Sequence, residues 1–128
     1  MARIIIREEE IEGEKKKPPR VSKLLISEHT VGATKISMGT NVTEVGSRIP
    51  FHTHTDSEEA MFVLQGRGKL YADGEEYDLY PGTAIYSPLG VEHEIVNVGS
   101  ELFKIVWAYA PPLPAHLKEK PTQTVIEK

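Results

Sequence analysis

Three histidines and one glutamate in this chain have the types and spacing of a metal-binding set. His52 and His54 are two residues apart, Glu59 follows five residues later, and His93 lies in a separate segment. In an extended strand, residues two apart point to the same face. His52 and His54 are therefore expected to project two imidazoles side by side. Glu59 opens the next apolar run and shares a face with Met61 and Val63. A carboxylate among such neighbours is costly unless it is paired or ligated. His93 shares its face with Val91, Ile95 and Asn97, so it too is expected to point inward. One divalent transition metal ion explains all four side chains together. Neutral imidazole is the commonest nitrogen donor to such ions, and the cation offsets the burial of the carboxylate. Three histidines and a glutamate suit Fe, Mn, Ni, Cu or Zn. On a six-coordinate ion they leave up to two positions for substrate, water or dioxygen.

Other residues compete for the same roles. Taken alone, His52 and His54 read as exposed strand residues; Glu59 and His93 tip the balance to a metal site. Glu58 is the rival carboxylate, but strand alternation sends it to solvent. His29, in the turn Glu28–Gly32, and His116, near the end of the chain, are expected at the surface. Trp107 and Tyr109 share a face with Phe103 and Ile105, which is first a core stripe and second a pocket wall. Met38, Phe51, Met61, Tyr86 and Trp107 are the candidate pocket residues. Arg48 precedes the first ligand segment and could meet an anionic substrate, although it reads first as a surface arginine.

The elements that must hold these side chains are short and β-rich. Helical periodicity is nearly absent. Runs closed by Gly, Pro, Asp or Asn recur instead: 4–6 as an edge strand, 21–27, 34–43, 51–54, 59–64, 68–72, 76–79, 83–86, 92–98 and 102–110. Asp73-Gly74 between two of them is a hairpin turn, because those residues tolerate positive φ. Gly46, Gly66 and Gly82 fall where runs end, and Gly90 leads into the run carrying His93. Many short strands joined by polar turns indicate an all-β sandwich or barrel. The chain has 128 residues, of which 39% are hydrophobic, enough for the core of one domain. Residues 1–114 are expected to form it, with 115–128 as a C-terminal tail or arm in which Val125-Ile126 is the one short apolar pair.

The segments 46–66 and 82–97 resemble the two signature motifs of the cupin superfamily. Gly46, His52, His54, Glu59 and Gly66 fit the first; Gly82, Pro88, Gly90, His93 and Asn97 fit the second without departure. The intermotif stretch 67–81 is short, as in small microbial cupins with one such domain. The resemblance implies a single-domain jelly-roll β-barrel of the conserved-barrel type, with the metal near one mouth. It also implies a homodimer, in which 4–6 could be an exchanged strand. Asn97 belongs to the motif as an organiser of backbone rather than as a ligand.

Composition narrows the function further. The net charge of −4 and the absence of a basic stripe argue against nucleic acid and membrane surfaces as partners. Lys15-Lys16-Lys17 reads as a solvated loop. No cysteine is present, which excludes disulfides and thiol chemistry and fits a cytoplasmic protein. No apolar run reaches the length of a signal peptide or membrane span. The resulting expectation is a small metal-dependent enzyme acting on a small polar metabolite. Dioxygenase stands slightly ahead of isomerase, decarboxylase or lyase, because the ligand set is complete and the candidate pocket residues are apolar. The alternative is a non-catalytic module that binds or senses a small molecule or metal.

Overall fold

A computed structural model describes residues 3–117. Its strands, in chain order, are β1 (Glu14–Lys16), β2 (Arg20–Ile26), β3 (Ser37–Thr43), β4 (Arg48–His52), β5 (Glu58–Gln65), β6 (Gly68–Ala72), β7 (Glu75–Leu79), β8 (Ala84–Ser87), β9 (His93–Asn97) and β10 (Phe103–Ala110). They build two antiparallel sheets of a jelly-roll barrel, ordered β1-β2-β3-β10-β5-β8 and β4-β9-β6-β7. The only helical pieces among the described residues are two single 3-10 turns, Glu8–Glu10 and Pro114–His116.

Alternation along the strands builds the interior. On β5, Glu59, Met61 and Val63 are buried while Glu58, Ala60, Phe62 and Leu64 are exposed. On β10, Phe103, Ile105, Trp107 and Tyr109 are buried in the same way. With Leu24, Leu70, Leu79, Ile85 and Ile95 they make one core between the sheets. Each large apolar side chain so buried contributes roughly 1.5–3 kcal/mol. Asp73 (φ 52°) and Gly74 (φ 77°) form the tight turn between β6 and β7, as their types require.

Asn97 is 2% exposed and fastens the end of β9. Its amide nitrogen donates to the carbonyls of Thr43 and Glu101 at 3.0 and 2.9 Å, and its oxygen accepts from the Gly99 N–H at 3.0 Å. Gly66 ends β5 at φ +90°; a Cβ there would lie 2.6 Å from the Leu102 carbonyl oxygen, so a close backbone crossing demands glycine.

Five expectations are corrected. The edge strand is not 4–6 but β1: Glu14–Lys16 pairs with β2, while Ile4 and Ile5 stay exposed and unpaired in any sheet. The lysine run is thus half strand, and its charges sit on a sheet edge, where they discourage pairing with another chain. The first ligand strand runs Arg48–His52 rather than 51–54, because β4 follows β9 in register from Arg48↔Val96 and bulges between Ile49 and His52. His116 is not a surface residue. It is 8% exposed, and the turn carrying it packs onto Trp107. His29 is half-buried rather than exposed, with its Nε2 enclosed and without a hydrogen bond. Val125-Ile126 lies outside the described residues.

Candidate metal centre

His52, Glu59 and His93 converge from β4, β5 and β9, and their donor atoms all lie within 4.8 Å of one another. Glu59 Oε1 is 3.3 Å from His93 Nε2 and 3.9 Å from His52 Nε2. The β4 bulge sets His52 opposite His93, with ring centroids 4.1 Å apart. Glu59 reaches them from the other sheet because the inward phase of β5 begins with it. Its exposure is 5%, and that of His93 is 2%.

The remaining ring nitrogens decide what the facing ones can do. His52 Nδ1 lies 2.8 Å from the Pro50 carbonyl oxygen, to which it donates. His93 Nδ1 lies 3.2 Å from the Val91 carbonyl oxygen and 3.1 Å from Ser87 Oγ. A neutral imidazole that donates through Nδ1 keeps a lone pair on Nε2. Both Nε2 atoms thus offer lone pairs towards the carboxylate. Glu59 Oε1 and His93 Nε2 are buried and have no hydrogen-bond partner. Two orphaned acceptors facing each other at 3.3 Å repel unless a proton or a cation stands between them. The donor types, the fixed tautomers and the orphaned atoms all fit a transition metal ion.

Without a metal, protons serve the same role. Burial pushes the Glu59 carboxyl up, but the adjacent His52, His93 and Tyr109 outweigh it and hold the group at about 2. Burial pulls the His52 imidazole down, yet Glu59 and the Pro50 carbonyl raise it above its ordinary value. His54 is lowered, by burial and then by its neighbour His52.

His54 stands beside the cluster rather than in it. It follows the end of β4, its ring centroid is 5.0 Å from that of His52, and its Nε2 lies 3.2 Å from the Tyr109 hydroxyl. Its carbonyl accepts from the Gly90 N–H at 2.8 Å, which ties this segment to the loop leading into β9. His54 still lines a cavity of about 330 Å³ that opens beside the cluster.

Of the candidate pocket residues, Phe51, Met61 and Trp107 line this cavity. Met38 and Tyr86 do not. Met38 alternates with the inward Ser37 and Gly39 and so faces out of the barrel. Tyr86 is 62% exposed and donates to Glu58 Oε1 at 2.5 Å on the outer face. Both corrections have one cause, strand phase: Tyr86 pairs with the outward Ala60, whereas its neighbour Ser87 pairs with Glu59. Residues the sequence did not assign to a pocket also line the cavity, among them Arg20, Asn41, Ile49, Ile95 and His116. For Asn41 the available signal was its inward phase on β3. For His116 there was none, since its place depends on a turn docking at long range.

The family match agrees with this architecture. The chain belongs to the Cupin domain family, whose match covers residues 41–109. The uncharacterized protein MJ1618 of Methanocaldococcus jannaschii is 36% identical over 78 residues, 61% of this chain and 62% of that protein. The polyketide synthase CurC of Streptomyces cyaneus is 36% identical over 90 residues, 70% of this chain and 58% of that protein. The match thus spans less than two thirds of the length of these relatives. The solved structure of KdgF from Halomonas sp. superposes with a TM-score of 0.78 at 18% identity, over 89% of this chain and 98% of that one, which shows a shared fold. No helix among the described residues is long and apolar enough to cross a membrane.

Proposed function

We propose that this cupin is a metal-dependent enzyme in which His52, His54, Glu59 and His93 hold one divalent transition metal beside a cavity for a small metabolite. The observation that carries the reading is the pair of buried, unpartnered acceptors, Glu59 Oε1 and His93 Nε2, 3.3 Å apart. His54, whose Nε2 lies against the Tyr109 hydroxyl beside the cluster, would complete the set. The metal would supply Lewis acidity, or a dioxygen site if it is iron.

The protein's own groups do the rest. Pro50 and Val91 carbonyls fix the tautomers of His52 and His93. Tyr109 keeps a hydroxyl at the cavity wall, and burial next to Glu59 raises its pKa so that it stays a donor. Met61, Ile95, Ile105 and Trp107 give the cavity apolar walls that orient an organic substrate and limit water. Among the reactions open to such a site, dioxygenase chemistry stands slightly ahead of isomerisation, decarboxylation or lysis.

Elemental analysis of protein purified without added metal tests the site, beside a variant carrying His52→Ala and His93→Ala. Near-stoichiometric Fe, Mn, Ni, Cu or Zn, lost in the variant, is the expected result, and iron would select dioxygen chemistry. Absence of metal even after reloading would overturn the reading and leave a small-molecule binding module.

A further inference from the structure

The cavity is chemically lopsided. Glu59 is the one carboxylate that lines it, and it belongs to the cluster. Elsewhere the lining carries Lys16, Arg20, Ser22 and Asn41. Register explains why these four converge. Arg20 is paired with Thr43 and with Lys16, and Ser22 with Asn41, all in the phase that faces the interior. Arg20 is half-buried and lines the same cavity as His52 and Glu59.

Arg20 has unspent capacity. A guanidinium carries five N–H donors, and here one bond is made, from Nη1 to the Pro18 carbonyl at 3.1 Å. No carboxylate lies within ion-pair distance of it among the described residues; the nearby Glu14 pairs with Lys16 at 3.6 Å. Arg48, the arginine the sequence pointed to, is paired with Glu94 at 3.3 Å and does not line the cavity. Asn41 is 6% exposed, its oxygen accepts from the Thr43 hydroxyl at 2.8 Å, and its amide N–H groups have no partner among the described residues. A partly buried guanidinium without a carboxylate partner, close to a free amide, is a receptor for an oxyanion.

We propose that Arg20 and Asn41 bind the distal oxyanion, carboxylate or phosphate, of a small organic acid whose other end chelates the metal at His52, Glu59 and His93. The proposal rests on the metal reading above and names the class of molecule that site accepts. The apolar walls formed by Ile49, Ile95 and Ile105 take the carbon skeleton between the two ends. Ligand cavities run from about 300 to 1,000 Å³, and about 330 Å³ restricts the skeleton to a short one. Lys16, 40% exposed at its side chain, marks the mouth and adds attraction for an incoming anion.

Two matched pairs of acids test this on Co2+-loaded protein, with binding read from the cobalt absorption spectrum. 2-Oxoglutarate and 2-oxovalerate share chain length and chelating head and differ in the distal carboxylate; 3-phosphoglycerate and glycerate differ in a distal phosphate. The expected result is that one or both distal anions tighten binding about tenfold or more. The pair showing the larger gain identifies carboxylate or phosphate. Arg20→Met removes the gain and leaves 2-oxovalerate and glycerate binding as before; Arg20→Lys keeps part of it. Equal binding within both pairs overturns the proposal. So does failure of all four acids to bind the loaded protein, or a gain that survives Arg20→Met. Should Arg20→Met not fold, Arg20→Lys decides: a full gain retained with the fork lost overturns the role of the guanidinium. Failure to take up Co2+ at all overturns the metal reading itself, and the proposal with it.

Discussion

His93 and His116 begin from similar circumstances. Both are buried, and each places Nδ1 near a serine hydroxyl, Ser87 Oγ at 3.1 Å and Ser37 Oγ at 2.8 Å. They part at the rest of the ring. His93 turns Nε2 onto the Glu59 carboxylate without a bond to satisfy either atom. His116 lies flat on Trp107, with centroids 5.3 Å apart and planes 23° apart, and has Tyr109 at 5.7 Å. Burial, then the neighbouring Lys16, lower its pKa to about 4, so it is neutral and packs as an aromatic. Enclosure therefore does not mark a metal ligand. What sets His93 apart is an unanswered lone pair facing an unanswered carboxylate.

The largest expected effect separates the two histidines directly. His93→Ala should weaken metal binding by more than the about 10–100-fold typical of changes behind the ligands, and His116→Ala should leave it within about threefold. Competition with a metal-binding dye measures both, and equal losses would erase the distinction. Next comes acid. Ligation requires deprotonated imidazole, so lowering pH from 7 to about 4, below the about 6.5 of free histidine, should strip the metal; full retention at pH 4 would contradict histidine ligation. Smaller is the loss in Ser87→Ala. The Val91 carbonyl still holds His93 Nδ1, so a decrease of about tenfold or less is expected.

The smallest effects belong to His116. Its folded pKa of about 4 lies below the ordinary 6.5, so the unfolded chain takes up the proton first. Stability of metal-free protein should fall as pH drops from 6.5 to about 4 and lose nothing further from this residue below that. His116→Gln should flatten that stretch in denaturant unfolding, whereas Glu59, held at about 2, adds its own loss only below its ordinary 4.5. Ser37→Ala should cost about 1 kcal/mol, the usual worth of one hydrogen bond.

Where a side chain's direction follows from strand phase, it was legible in the sequence. The inward Glu59 and the outward Glu58 follow from alternation along one strand, and the Asp73-Gly74 turn follows from its residue types. The apolar alternation of β10 announced the wall on which Trp107 lies. Phase failed at Met38 and Tyr86, where pocket candidacy was assigned from side-chain type and the strand faced the other way. Features set by partners distant in the chain stayed hidden. β4 bulges against β9 between Ile49 and His52 and ends at His52, so His54 lies outside the strand. The edge position on β2 goes to a lysine-rich segment because that segment has the matching register, not because it is the more apolar one. Arg20 lies just before the run 21–27 in the sequence, and only its pairing with β1 and β3 brings it to the cavity wall.

Gly39 sits in mid-strand with its backbone against the Trp107 ring; a Cβ there would fall 2.4 Å from the indole and 2.1 Å from the Lys23 carbonyl oxygen. The indole can lie back against β3 only because that methyl is missing. The volume of the chamber is thus written partly in an atom the chain does not have. A methyl added there would collide first with the backbone of β2 and then with the indole, so the two strands would have to part as well as the ring move. Position 39 thus ties the size of the chamber to the spacing of β2 and β3.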